Sequence, residues 1–270
     1  MDRVVTKPIK VDLHLHSVYS KYKDEEDLVK YNNEDNIGCL VDKLKDNSVN
    51  MASITDHDYF SYDMYKLFKS YEGKGSLKKV LPGIEFSVGM HDEKNELHDV
   101  HVIAIFDDKD DEKIKKIEKN FKVKNNQIDY NNGKNMFFSE ERVISILNAI
   151  GLNVVLIAHQ KNSVESTKKS KNDLMNVGKD NFHEYLSCEV FEALEFKSMK
   201  NGLFNRLFAI EKNRNYDIVR FITGSDCHMW SVYPKHDSNS KDDDFHHTYL
   251  KCLPTFKGLE MAITDFSRIS

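Results

Sequence analysis

Cysteine is scarce and scattered. The 270 residues hold four, Cys39, Cys188, Cys227 and Cys252, with no C-x-x-C pair among them. That usage argues against a disulfide scaffold and fits reduced thiols in a cytosol. The opening MDRVVTKPIK has no apolar leader core, and no uninterrupted apolar run approaches a membrane span. The expectation is a cytoplasmic protein with no membrane partner. Charge of one sign is also lacking: the net value is −5, with 39 Lys and Arg against 44 Asp and Glu. A generic nucleic-acid coat protein is thereby disfavoured, although local basic patches remain. No internal repeat is visible, and no G-x-S-x-G elbow marks a serine nucleophile. What is present is a soluble globular composition, 40% apolar and 31% charged, long enough for one large α/β domain.

Seven apolar, β-branched runs recur along the chain: VDLHLH (11–16), MASITDHD (51–58), VLPGIEFSV (80–88), DVHVIAIF (99–106), NVVLIAHQ (153–160), FEALEF (191–196) and RFITGSDCH (220–228). Helical stretches separate several of them. In ERVISILNAIG (141–151), Val143, Ile144, Ile146, Leu147 and Ile150 form a helical stripe that Gly151 caps; 39–48 and 204–214 read alike. This alternation predicts β/α units and a mostly parallel arrangement. Segments 107–135 and 231–247 read as solvated surface, the second as a mobile acidic loop. The lysine-rich segment 161–180 differs, because it follows a strand directly and would flank the mouth where α/β barrels keep their sites.

In VDLHLHSVYS, residues i and i+2 of a strand share a face, so His14 and His16 aim into one space. Alone, such a pair is more readily a hydrogen-bonded core histidine beside a rim residue. The other strands decide otherwise. The second ends in Asp56, His57 and Asp58; Glu85 lies in the third, His101 in the fourth; His159 closes the fifth, and Asp226 and His228 close the seventh. Histidines and carboxylates are seldom buried without partners, and here they repeat at one topological point. Together they predict a metal site.

HLHS, ITDHD, PGIEFS, a strand with an internal His, LIAHQ and GSDCH stand in the order found in the polymerase and histidinol phosphatase (PHP) family, which the chain resembles from about residue 10 to its end. The resemblance implies a distorted (β/α)7 TIM-like barrel, one domain over residues 1–270, with two or three divalent metals (Mn, Zn or Fe) at the C-terminal mouth of the strands. By motif, His14, His16, His57, Glu85, His101, His159, Asp226 and His228 would be the metal ligands, with Glu85 bridging two ions. Asp12, Asp56 and Asp58 would orient imidazoles from an outer shell. Where the family carries a further ligand after the first motif, this chain has Lys21 and Tyr22, with Asp24 just beyond, so a third metal is in question. Gln160 stands where the family usually has Pro.

Such a cluster implies a metal-dependent phosphoesterase that works through a metal-bound hydroxide, with Glu85 and Asp56 in the catalytic machinery and Lys161 and Lys197 holding phosphate oxygens. The substrate is expected to be DNA, RNA, a nucleotide or another phosphate ester, and segment 161–180 leans the reading toward nucleic acid. The terminal LPTFKGLEMAITDFSRIS (253–270) resembles the junction where PHP modules precede an ATPase domain in proteins linked to phage defence. A non-catalytic module of such an assembly, with an ATPase domain or subunit as partner, is the alternative of another class. A small-molecule phosphomonoesterase is the alternative within the first. An amidohydrolase also opens with H-x-H, but no strand-end Lys stands out as a carbamate bridge, and Glu85 and TDHD fit the phosphoesterase better.

Overall fold

The computed structural model describes residues 5, 7–22, 26–91, 97–121, 130–131, 136–159, 191–196, 220–240 and 245–270. Asp24, Gln160, Lys161, Lys197, Cys188, the 161–180 segment and the helix expected over 204–214 lie outside the described residues. The strands are β1 (Ile9–Leu15), β2 (Met51–Ile54), β3 (Lys79–Val80), β4 (Gly83–His91), β5 (Leu97–Phe106), β6 (Tyr130–Asn131), β7 (Met136–Ser139), β8 (Val154–His159), β9 (Ala193–Phe196), β10 (Phe221–Thr223) and β11 (Thr248–Leu250). The helices are α1 (Glu26–Val29), α2 (Ile37–Asp46), α3 (Tyr62–Lys69), α4 (Asp111–Asn120), α5 (Glu140–Ile150) and α6 (Phe256–Ile263).

Local chemistry sets the helix ends. Ser61, Asp110, Ser139 and Thr255 accept backbone N–H bonds at the starts of α3, α4, α5 and α6. Gly151 ends α5 at φ +66°, a left-handed turn that glycine adopts without steric cost, as the sequence predicts.

The strands form two sheets, one in the order β11-β1-β2-β3 and one in the order β10-β9-β8-β5-β4-β7-β6. The α/β class stands. Among the described residues no ladder closes the sheets on each other; they meet at two single bridges, Leu15 with Cys227 and His57 with Glu85. Strand direction corrects the mostly parallel expectation. β4 and β5 are antiparallel over their length, Gly83 opposite Ile105 and His91 opposite Leu97, and β5 is antiparallel to β8 as well. Two long adjacent strands joined by a short polar connection make a hairpin, which needs no crossover helix. β11 is antiparallel to β1.

Alternation divides each central strand between two cores. Val100, Val102, Ala104 and Phe106 of β5, with Leu156 and Ala158 of β8, pack against α2 to α5 through residues such as Leu40, Phe68, Ile117 and Ile146. Ile103 and Ile105, Val155 and Ile157, Ala193 and Ile222 face the other way, onto Phe256, Leu259, Ala262 and Ile263 of α6. The terminal segment is fastened further by Tyr249 and Ser270, whose N–H groups donate to each other's carbonyl oxygens at 2.6 and 2.9 Å. Segment 107–135 places Ile114 and Ile117 of α4 in the core. The 231–247 loop is corrected more strongly: Trp230 just before it and Tyr233 within it are buried. Cys39, Cys227 and Cys252 are free thiols. Among the described residues no helix is long and apolar enough to cross a membrane.

Candidate metal centre

The face of β5, β8 and β9 that carries the second core turns polar at one end. His101 continues the row of Ile103 and Ile105, His159 that of Val155 and Ile157, and Glu195 that of Ala193. Because β5 runs antiparallel to β8, its histidine comes before its apolar residues rather than after them. β1 adds His14 and, just past its end, His16; β4 adds Glu85; the turns after β2 and β10 add His57, Asp226 and His228. Both turns use a non-glycine residue in the left-handed region, Asp58 at φ +50° and Asp226 at φ +52°. Asp tolerates that conformation better than most residues, at a cost of order 1–3 kcal/mol.

The side chains converge. His14 Nε2 lies 2.9 Å from Glu85 Oε2, 3.0 Å from His16 Nε2 and 3.3 Å from Asp226 Oδ1. His16 Nε2 lies 3.0 Å from Asp226 Oδ1 and 3.4 Å from Glu85 Oε2. Glu85 divides its oxygens: Oε2 is 3.1 Å from His57 Nδ1, whereas Oε1 is 2.9 Å from His101 Nδ1. Among the described residues four groups of donors lie within 4.8 Å: His14, His16, Glu85 and Asp226; His57, Glu85 and His101; His16, His57 and His228; and Asp226, His228 and His236. His159 stands at the margin, its ring 5.7 Å from that of His101 and its Nε2 4.0 Å from Glu195 Oε2.

Partners outside this cluster fix the tautomers. Glu195 approaches His14 Nδ1 at 2.8 and 3.0 Å through its two oxygens, so Nδ1 carries the hydrogen and Nε2 the lone pair. Ser20 Oγ donates to Asp56 Oδ1 at 2.8 Å and lies 2.8 Å from His16 Nδ1. Having one hydrogen, it accepts from Nδ1–H, which leaves the His16 lone pair on Nε2 as well. Two imidazole lone pairs and two carboxylate oxygens therefore point at one another. A proton on either nitrogen satisfies one of these contacts, whereas a divalent cation among them satisfies all four. The donor set fits a metal of imidazole and carboxylate preference.

The electrostatics agree. Burial alone would push the Glu85 carboxyl up, but positive charge on His57, His14 and His101 in their protonated forms outweighs it and holds it well below the usual range; a cation held by their lone pairs would supply the same positive charge. Burial, aided by the neighbouring His228, His57 and His14, lowers His16 well below the ordinary imidazole value and keeps it neutral, despite the opposing pull of Asp226. Asp56 is driven up to about 6 by burial, against its bonds from Ser17 and Ser20 and the pull of His57.

Two outer-shell expectations change. Asp12 touches no imidazole among the described residues; its carboxylate accepts from the backbone N–H groups of His14 and Ser225 at 3.3 and 3.2 Å and from Tyr233 Oη at 2.8 Å. Burial raises it to about 6. Asp56 reaches His16 through Ser20 rather than directly. Asp58 accepts from the Ser87 N–H at 2.8 Å. Lys21 and Tyr22 end a 3-10 turn, Val18–Tyr22. Sequence reasoning missed Glu195, whose signal was a lone carboxylate within the apolar FEALEF, and His236, which sits in the loop read as solvated surface.

No protein-family model and no curated protein matches the chain. Solved structures do. The chain is similar in fold to a lesion-specific endonuclease, PfuEndoQ of Pyrococcus furiosus, at 16% identity and a TM-score of 0.54, covering 95% of this chain and 56% of that one. It is also similar to PsfC of Pseudomonas syringae PB-5123, at 14% identity and a TM-score of 0.51, covering 98% of this chain and 91% of that one. The chain thus spans little more than half the length of the endonuclease, and at these identities the likeness is one of fold.

Proposed function

We propose that the chain is a metal-dependent phosphoesterase of the PHP kind, a single domain over residues 1–270, that hydrolyses phosphodiester bonds in nucleic acid. The observation that carries the reading is the convergence of His14, His16, Glu85 and Asp226, lone pairs and carboxylate oxygens aimed at one point. The fold likeness to a lesion-specific endonuclease supports the choice of substrate class. We read β1, β2, β4, β5, β8, β9 and β10 as the seven strands of the distorted barrel, joined at the two single bridges.

When bound, divalent cations supply a nucleophile by lowering the pKa of a water and neutralise charge on the phosphoryl oxygens. The chain's own residues do the rest. Glu85 serves two donor groups with its two oxygens. Glu195 and the Ser20–Asp56 pair hold His14 and His16 in the ligating tautomer, and His57, His101, His159 and His228 complete the imidazole set. Lys161 and Lys197, which follow β8 and β9 in sequence, are the candidates for holding non-bridging phosphate oxygens.

The test is hydrolysis of a labelled single-stranded oligonucleotide and of p-nitrophenyl phosphate, before and after chelation, with Mn²⁺ added back. Loss on chelation and recovery with Mn²⁺, with the oligonucleotide favoured, is expected. Replacing Lys161, Lys168, Lys169 and Lys171 by Ser should weaken oligonucleotide binding and flatten its salt dependence by about 0.7 per lost contact. Cleavage of p-nitrophenyl phosphate alone would make this a monoesterase. Full activity after rigorous metal removal would refute the reading.

A further inference from the structure

The turn after β10 contains an arrangement that the cation cluster itself does not require. The backbone carbonyl of Asp226 faces two imidazoles, His228 Nδ1 at 2.9 Å and His236 Nδ1 at 2.6 Å. A carbonyl only accepts, so both Nδ1 atoms carry hydrogen. For His228 this leaves the lone pair on Nε2, the nitrogen a ligand needs, and places it in the group with His16 and His57. The role of His236 is different. Its Nδ1 also lies 3.2 Å from Asp226 Oδ2, while the other oxygen, Oδ1, is the one facing His14 and His16 at 3.3 and 3.0 Å.

Asp226, His228 and His236 have donor atoms within 4.8 Å of one another, but the Nδ1 hydrogens of both histidines already go to the Asp226 carbonyl. We infer that His236 is a positioning residue: its Nδ1–H holds the Asp226 main chain and Oδ2, and so presents Oδ1 to the cation site. The inference rests on the proposed metal-dependent reading.

The surroundings explain why one hydrogen bond is enough to matter. Asp226 sits at φ +52°, a conformation few non-glycine residues occupy unaided. Its N–H donates to the His14 carbonyl at 2.9 Å, so the residue is held from the β1 side, and His236 holds it from the other. His236 is itself fixed, because its carbonyl accepts from the His228 N–H at 2.8 Å and its ring lies 4.2 Å from that of His228. Trp230, itself buried, ties the start of the loop to the residue just past β1 through a bond from Nε1 to the His16 carbonyl at 2.8 Å. A loop polar enough to read as solvated surface is thus anchored at Trp230 and at His236 to the ligand-bearing segments.

The test uses the geometry of the two amide side chains. Asn presents its amide N–H near the place of Nδ1, whereas Gln presents its own near the place of Nε2. Full-length wild type, His236→Asn, His236→Gln and His236→Ala are stripped of metal and titrated with Mn²⁺, with stoichiometry and affinity read by calorimetry and folding checked by circular dichroism. The wild-type number of ions is expected in all four, with affinity for one ion about 10–100-fold weaker in Gln and Ala and close to wild type in Asn. Equal affinity in all four would overturn the inference and leave His236 a rim residue. An ion lost in Asn as well as in Ala would overturn it differently, by making His236 a ligand. Absence of Mn²⁺ binding in the wild type would instead count against the proposed function.

Discussion

The two ends of the same strand rows differ in what they ask of their surroundings. Toward α6, Ile105, Val155, Ile157, Ala193 and Ile222 meet Phe256, Leu259 and Ile263, and apolar contact alone satisfies them. At the other end His101, His159 and Glu195 stand on the same rows among His14, His16, Glu85 and Asp226, where contact alone satisfies nothing. One end is a core that tolerates loss at a cost in stability. The other is a set of lone pairs and charges that a shell of hydrogen bonds holds in place and that could hold a cation.

The largest effect should come from the residue shared between donor groups. Glu85→Gln replaces one oxygen by an amide, removing charge and a donor, and should abolish hydrolysis and lower metal content by about one ion or more per chain. Unchanged content and rate would make Glu85 a turn residue. At the apolar end, Ile157→Ala should cost about 2–5 kcal/mol in chemical denaturation while leaving metal content per folded molecule intact. A loss of metal in that variant would break the separation between the two ends.

Asp56 sharpens the comparison through pH. Its folded carboxyl titrates near 6 rather than 3.8, so the fold binds its proton more tightly than the unfolded chain. The resulting stabilisation is complete below about pH 4 and is lost as pH rises through about 6. In metal-free protein, wild type should therefore lose up to about 3 kcal/mol relative to Asp56→Asn between pH 4 and pH 7. Parallel stability curves for the two would show that the Asp56 proton is not held. The smallest effect belongs to Gly224, where a Cβ would stand 1.9 Å from Glu195 Oε1 and 2.6 Å from the His14 Cβ. Gly224→Ala should displace the carboxylate from His14 and press on β1 at the His14 Cβ, weakening metal binding by about 10–100-fold and lowering stability in chemical denaturation.

Much of the polar end was legible because strand periodicity and ligand chemistry coincide there. His14 and His16 are two apart, and His57, His159, Asp226 and His228 each follow an apolar run. Glu195 was harder to see because it sits inside FEALEF rather than past its end. His236 was hidden by a polar loop whose burial depends on Trp230 and Tyr233, far from any periodic segment. The direction of β5 was missed for a similar reason: strand periodicity carries no polarity. Only the short polar connection between PGIEFSV and DVHVIAIF could have signalled a hairpin instead of a crossover.

The central claim is that the polar end is a cation site, and equilibrium binding tests it most directly. Chelator-stripped wild type titrated with Mn²⁺ should bind two or more ions per chain and gain thermal stability as it does so. A variant with His14, His16, Glu85 and Asp226 all replaced by Ala should do neither. Wild type that binds no more metal than that variant, with no rise in Tm, would contradict the account.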